Sequence, residues 1–307
     1  MSFAAFLLIF VSAFFHATWN LLAKKNHMSV LFYALMGIPC WLIWCHVLFW
    51  TPIHILDLPW QYWCWVLGSA TMGEILYCTG LCWCYRRMDI STAYPIMRSL
   101  PVLMIALITT LCGFGQPLTP MACMGMAVVF MACMVMPQKS IKHFVWRQYL
   151  SPNMLAILIV ATGTTCYTIC DSQAQHCLRQ YLITTGQDVS KLTISMTYYI
   201  TRLTVECISM WLLSLGIHGF KGLVIEAKKL APSAFTAGAA ASGCYVLALA
   251  AMLFVTNVSY VQAFRQMGLV LAMLGGVIFL KERLTFTKVA GVILIIGGLI
   301  LTVVEKL

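Results

Sequence analysis

Residues 231–280 read APSAFTAGAAASGCYVLALAAMLFVTNVSYVQAFRQMGLVLAMLGGVIFL, an almost uninterrupted apolar run. As one helix, a run of this length would extend roughly 75 Å at about 1.5 Å per residue. A hydrocarbon core is only about 30 Å thick, so the run is too long for a single crossing. It therefore predicts two membrane-spanning helices that turn back at Thr256 and Asn257.

The rest of the chain has the same character. Of its 307 residues, 62% are apolar and 9% are charged, whereas soluble proteins average about 45–50% and about 25%. This number of charged residues is too small to cover the surface of a soluble domain of this size. Most of the surface must therefore face lipid. This composition excludes a soluble cytosolic enzyme, a secreted disulfide scaffold and a disordered chain.

Charges, prolines and polar loops divide the chain into apolar segments of about 20 residues, the length that crosses a bilayer as a helix. The prediction is an all-α integral membrane protein with ten transmembrane helices, at residues 3–23, 28–50, 60–85, 91–112, 118–136, 153–171, 192–216, 231–256, 258–280 and 285–304. Two connectors, 138–152 and Gly219–Leu230, mix basic and apolar residues as interfacial segments do. Ser172–Ser190 is predicted to be a polar loop.

An internal repeat relates the two halves of the chain. A constant offset pairs Tyr77 with Tyr245, Leu81 with Leu249, and Ser91 with Ser259. Five helices in each half would make the two copies enter the membrane from opposite sides, as inverted repeats do. Most lysines and arginines follow odd-numbered segments, so the positive-inside rule puts these loops in the cytoplasm and both termini outside.

Four stretches resemble the drug/metabolite transporter superfamily, in its ten-helix branch of two EamA-type repeats. They are HATWNLLAKK (His16–Lys25), STAYPIMRSLP (Ser91–Pro101), SYVQAFRQM (Ser259–Met267), and FLKERLT with AGVILIIGG (Phe279–Thr285 and Ala290–Gly298). The resemblance implies repeats at residues 1–137 and 153–307, joined by the linker 138–152. It also implies secondary transport of small metabolites without ATP hydrolysis, in a bacterial inner membrane.

Six ionisable residues stand out inside predicted spans: Glu74, Arg98, Asp171, Arg202, Glu206 and Arg265. A charge at the bilayer centre costs from about 2.5 to more than about 10 kcal/mol, so each needs a partner or a wet cavity. Arg98 and Arg265 occupy near-equivalent positions in the two halves. A guanidinium group matches the geometry of carboxylate and phosphate oxygens, so this pair is predicted to hold the anionic group of a solute.

Neighbouring polar residues are predicted to complete this substrate site: Tyr77, Tyr94, Arg202, Tyr245, Gln262 and Gln266. The competing interpretation is that each arginine is permanently paired with an acid, for example Arg98 with Glu74. Arg202 and Glu206, four residues apart, are expected to pair on one helix face.

Glu74 is a candidate for proton coupling, because burial of a carboxylate favours its neutral form; a static ion pair is the alternative. His16 and Asn20 in the first half, with Tyr167 and Asp171 in the second, are predicted to line opposite mouths of the pathway.

No metal site, cofactor or nucleic-acid partner is expected. Cys78, Cys82 and Cys84 at helical spacing are more typical of packing than of a metal site, and no nucleotide-binding or hydrolase motif occurs. Small residues in the later helices could serve internal packing or a homodimer: Gly238, Ser242, Gly291, Gly297 and Gly298.

The sequence therefore predicts a secondary active transporter of a small anionic or zwitterionic metabolite, with membrane lipids as its surroundings and no enzymatic activity. Two alternatives stay open. One is efflux of hydrophobic cations around Glu74, and the other is a membrane scaffold or enzyme acting on lipid-linked intermediates.

Overall fold

The computed structural model describes residues 3–25, 29–88, 90–138, 153–280 and 285–304, and every regular element in these ranges is helical. The elements are α1 (Phe3–Lys25), α2 (Val30–Trp44), α3 (Val47–Trp50), a 3-10 turn (Ile55–Asp57), α4 (Trp60–Leu67), a π-helical turn (Gly68–Gly73), α5 (Glu74–Arg87), α6 (Ile90–Cys112), α7 (Pro120–Val135), α8 (Met154–Thr184), α9 (Lys191–Met252), α10 (Val258–Phe264), α11 (Met267–Leu280) and α12 (Phe286–Val303).

Several of these helices are suited to a lipid environment. Five stretches of the described residues are long and apolar enough to cross a bilayer: Val30–Trp50, Ala93–Cys112, Met154–Thr184, Lys191–Met252 and Phe286–Val303. Large apolar side chains such as Leu107, Ile208 and Ile293 are exposed on the outside of the bundle. Exposed apolar surface on this scale marks contact with a membrane, so the chain is a multi-pass membrane protein.

Local capping explains where helices begin. The Oγ of Ser29 accepts the Phe32 N–H at 3.1 Å, and the Oγ1 of Thr119 accepts the Ala122 N–H at 3.2 Å. Such caps satisfy backbone donors that have no partner in the first turn. Asn257 caps α10 by accepting the Ser259 N–H at 2.9 Å, which confirms the turn predicted at Thr256 and Asn257.

The polar segment after Asp171 is helical, so the loop predicted for Ser172–Ser190 is wrong over most of its length. α8 continues to Thr184 and stops only before Gly186, whose φ is +68°. From Ser172 to Thr184 the sequence has neither glycine nor proline. Polar side chains alone do not end a helix when one face still packs, and Ala174, Leu178 and Leu182 are buried here.

The connector predicted at Gly219–Leu230 is also helical. α9 runs from Lys191 to Met252, and its one non-helical residue is Gly219, with φ +63° and ψ 167°. A positive φ is readily adopted by glycine, so two helical parts, 191–218 and 220–252, meet at this residue. The other predicted connector, 138–152, lies almost entirely outside the described residues, as does the turn 281–284.

Two helices are irregular in their middle. A π-helical turn, Gly68–Gly73, interrupts the path from α4 into α5. Between α10 and α11 the backbone turns at Arg265 and Gln266, where the Gln266 N–H bonds to the carbonyl of Ala263 instead of continuing the α-helical pattern. Interruptions of both kinds are frequent at functional sites.

Small residues bring helices into close contact inside the bundle. A Cβ on Gly298 would lie 2.8 Å from the carbonyl oxygen of Gly125, and one on Gly238 or Gly291 would overlap α2 or Met136. These three glycines therefore serve internal packing, whereas a Cβ on Gly297 would meet nothing within 4 Å.

We expect Gly298→Ala to lower the free energy of unfolding by about 1–3 kcal/mol, the usual cost of overpacking a filled interior. Gly297→Ala is the matched control on the same helix and should be neutral or slightly stabilising, because alanine is the better helix former. Unfolding of both purified variants in detergent measures the difference. Equal stabilities would contradict the contact between α7 and α12.

Candidate functional site

Arg98 lies on α6 between Pro95 and Pro101 and reaches across the bundle. Its Nη1 donates to Nε2 of His16 at 2.6 Å, and its Nη2 donates to the backbone carbonyl of Arg265 at 2.8 Å. The guanidinium also lies over the Tyr94 ring, 5.8 Å from its centroid. Arg98 thus connects α1, α6 and the break between α10 and α11.

Arg265 occupies that break and is 5% exposed. The next residue, Gln266, donates from Nε2 to the backbone carbonyl of Arg98 at 2.9 Å. The backbone carbonyl of each arginine therefore accepts a hydrogen bond from a side chain in the other half of the chain. This reciprocal contact holds the two residues side by side.

Arg98 and Arg265 face one small cavity of about 10 Å³, which we call the arginine pocket. Its polar lining also comprises Tyr77, Tyr94, Thr164, Tyr167 and Gln262. Among the described ion pairs, none includes Arg98 or Arg265. The Nε of Arg98 and the Oε1 atoms of Gln262 and Gln266 are buried without a hydrogen-bond partner among the described residues.

A second buried group centres on Arg202 of α9, and we call it the acid cluster: Arg202, Glu74, Asp171 and Glu206. Arg202 Nη2 lies 2.5 Å from Glu74 Oε2, its Nε lies 3.3 Å from Asp171 Oδ1, and its Nη1 pairs with Glu206. The side chain of Arg202 is only 2% exposed. Three carboxylates thus surround one guanidinium group.

Within the acid cluster, Asp171 is the most completely hydrogen-bonded carboxylate. Its Oδ1 accepts from Ser69 at 2.5 Å and from Tyr198 at 2.6 Å, and its Oδ2 accepts from Tyr245 at 2.5 Å. Ser69 lies in the π-helical turn and also accepts from Nε of Arg202 at 2.8 Å.

Glu74 and Glu206 are held differently. Both line a cavity of about 50 Å³, together with aromatic rings that include Tyr33, Tyr199 and Tyr245. The Glu206 side chain is 13% exposed, against 4% for Glu74 and 1% for Asp171. Arg202 is the partner of both glutamates in the described ion pairs. Glu206 is therefore the carboxylate of the cluster that is most accessible from the cavity.

Tyrosine rings separate the arginine pocket from the acid cluster. Tyr77 packs edge-on to Tyr167 with centroids 5.7 Å apart, and Tyr167 lies 6.2 Å from Tyr245. Arg202 lies over the Tyr245 ring at 4.5 Å. The approach of Tyr77 and Tyr167 depends on Gly163, because a Cβ there would overlap the backbone nitrogen of Tyr77.

Several of the predicted substrate residues lie together. Tyr77, Tyr94 and Gln262 line the arginine pocket, and Gln266 braces Arg98. Tyr245 instead contacts the acid cluster. Arg202 was predicted to bind the solute, but it is surrounded by carboxylates of the protein. The expected Arg202–Glu206 pair is confirmed, whereas Glu74 pairs with Arg202 and not with Arg98.

Three of the four residues predicted to line the pathway mouths are buried: His16, Tyr167 and Asp171. α8 continues well beyond Asp171 and places it in the middle of a helix. Asn20 lies on α1, and its side chain is outside the described part of the structure. An open vestibule of about 240 Å³ lies farther along α8, where Gln175, His176 and Arg179 face the turn at Thr256 and Asn257.

Sequence reasoning missed Ser69, Thr164 and the vestibule residues. Ser69 and Thr164 are uncharged and sit in apolar stretches, so nothing in composition distinguishes them from packing residues. His176 and Arg179 do carry a signal, since they fall one turn apart on a polar helix face. Among the described residues, no group of three His, Cys, Asp or Glu side chains is arranged to hold a metal ion.

Comparison with known proteins identifies a shared fold. A solved crystal structure of a protein aligns over 99% of this chain and 98% of its own, with a TM-score of 0.68 and 14% sequence identity. A likeness at this level of identity shows the fold alone. No family model matches this chain, and no curated protein matches it.

We expect Asp171→Asn to destabilise the protein by about 3 kcal/mol, because it leaves Arg202 and three hydroxyl donors without their buried anion. Glu206→Gln removes a charge from the same cluster, but at the cavity wall, and should cost much less. Chemical unfolding of both variants in detergent measures the two losses. A Glu206→Gln loss as large as that of Asp171→Asn would contradict the distinct role of Asp171.

Proposed function

We propose that this protein is a secondary active transporter of a small anionic or zwitterionic metabolite. The observation that carries the proposal is the arginine pocket, in which the buried Arg265 and the partly buried Arg98 face one space and belong to no described ion pair. A buried, uncompensated charge is costly in a membrane. A carboxylate or phosphate group of a solute would supply the missing compensation with matching geometry.

Alternating access is the mechanism that suits this site. The arginine pocket encloses about 10 Å³, far below the roughly 300–1,000 Å³ of ordinary ligand pockets. A solute would therefore enter only after helices around Arg98 and Arg265 separate. The break between α10 and α11 resembles the discontinuous helices that form central sites in transporters.

The proposal includes the ten-helix architecture of two inverted repeats, as in the drug/metabolite transporter superfamily. The reciprocal contact between the two halves supports it, since Arg98 donates to the backbone carbonyl of Arg265 and Gln266 donates to the backbone carbonyl of Arg98. The proposed location is a bacterial inner membrane, with both termini outside because most basic residues follow odd-numbered segments.

Charge balance suggests how transport could be coupled to protons. With all groups ionised, the arginine pocket carries two positive charges, and the acid cluster has three carboxylates against one guanidinium. Binding of an anion in the arginine pocket would leave the excess negative charge nearby uncompensated. Uptake of a proton by Glu206 or Glu74 would restore the balance.

A second candidate function is efflux of hydrophobic cations at the acid cluster. The observation that favours it is the cavity between Glu74 and Glu206, which three tyrosine rings line. Aromatic faces and carboxylates together attract cations. This candidate requires the glutamates but not Arg98 or Arg265, so substitutions distinguish the two.

We expect Arg98→Ala and Arg265→Ala each to reduce solute uptake at least about ten-fold, because truncating one partner of a buried charge pair costs about 2–5 kcal/mol. A thermal-shift screen of carboxylates, phosphate esters and amino acids selects the solute, and its flux is then measured in proteoliposomes. Lys228→Ala, an exposed cation elsewhere on α9, is the control. Unchanged uptake in both arginine variants would refute the proposed site.

We expect Glu206→Gln or Glu74→Gln to abolish stimulation of uptake by a pH gradient while solute exchange at equal pH continues, because a neutral amide cannot carry the proton. Flux of the same solute in proteoliposomes, with and without the gradient, measures this. Retained stimulation in both variants would contradict proton coupling through the acid cluster. Loss of efflux of a hydrophobic cation in these variants, with Arg98→Ala unaffected, would favour the second candidate.

A further inference from the structure

A further cavity opens at one end of the bundle, away from both buried charge groups. It has a volume of about 350 Å³ and lies between the start of α2, the last two turns of α5 and the part of α9 just before Gly219. Its walls are mainly apolar, with Val30, Trp83 and Ile217 among the lining residues. A space of this size and character can hold part of a hydrocarbon chain.

Two arginines stand at this cavity, both of them exposed. Arg86 and Arg87 end α5, and both line the space. The guanidinium of Arg87 lies 5.9 Å from the centroid of Trp83. Neither arginine belongs to an ion pair among the described residues. They therefore present positive charge next to an apolar space. The carboxylate that reaches a lining residue in the described ion pairs, Glu226, pairs with His218 at 3.8 Å and with neither arginine.

The helix that continues beyond Gly219 adds to this pattern. Phe220 is 74% exposed and Ile225 is 61% exposed, while Lys221, Lys228 and Lys229 are exposed on the same stretch. Exposed aromatic and aliphatic side chains among lysines are typical of a helix in the headgroup region. The cavity therefore opens at the depth of the lipid headgroups, on a surface whose charge is positive.

We propose that this cavity is a binding site for one anionic phospholipid. The phosphate group would bind to Arg86 and Arg87, and an acyl chain would lie along Val30, Trp83 and Ile217. Basic pockets between membrane helices recognise anionic headgroups through such charges. A zwitterionic lipid would fill the same apolar space, but its own cation would oppose the two arginines.

The test uses the full-length protein in nanodiscs of phosphatidylcholine with a minor fraction of phosphatidylglycerol. After extraction into mild detergent, native mass spectrometry counts the lipids that remain bound. We expect selective retention of one phosphatidylglycerol, and about a ten-fold or greater loss of that retention in the double variant Arg86→Gln/Arg87→Gln. The variant Arg86→Lys/Arg87→Lys should retain an intermediate amount, because it keeps the charge but loses the planar fork.

The matched control is Arg179→Gln, which neutralises an exposed arginine of the vestibule instead. It should retain phosphatidylglycerol as the unchanged protein does. Melting temperatures in pure phosphatidylcholine establish that the variants are folded to the same extent. Equal retention of both lipids, or full retention by the double glutamine variant, would overturn the proposal. Displacement of the lipid by millimolar glycerol phosphate would also overturn it, because it would indicate a site for soluble anions.

Discussion

The cost of burying charge in a membrane organises the interior of this protein. Three arginines and three carboxylates lie among its helices, and they are not matched one to one. Arg202 pairs with all three carboxylates, whereas Arg98 donates to His16 and to the backbone carbonyl of Arg265, and Gln266 donates to the carbonyl of Arg98. The interior is therefore formally neutral but electrically divided, with tyrosine rings between its positive and negative parts.

The positions of the helices could be read from the sequence, since apolar length and capping residues are local properties. The segment predicted at 91–112 is observed as Ile90–Cys112, and the one at 285–304 as Phe286–Val303. The errors lie where polar residues continue a helix. α8 continues through Asp171 to Thr184 because Ala174 and Leu178 still pack against neighbouring helices. Hydropathy averaged over a stretch of sequence does not detect a helix that packs on one face only.

The candidate site was partly predictable for a related reason. Charged residues in apolar stretches are conspicuous, so all six could be found from the sequence. Their partners could not, because pairing depends on how helices cross. Glu74 on α5 pairs with Arg202 on α9 and not with Arg98, across helices that are far apart in the sequence. A rule based on spacing detects the Arg202–Glu206 pair on one helix, but it carries no information about contacts between helices.

The π-helical turn Gly68–Gly73 changes the direction in which the side chains after it point around the helix axis. In a regular α-helix, two residues five positions apart point about 140° away from each other, whereas the wider π turn brings i and i+5 to within about 50° of each other. Ser69 and Glu74 are five positions apart, and both contact Arg202. The extra residue in the π turn thus brings the two side chains onto the same face of the helix. A helical wheel drawn with uniform α-helical periodicity would put Ser69 and Glu74 on different faces. Deletion of one residue in the turn would restore that periodicity and rotate one of these two side chains away from the Arg202 guanidinium.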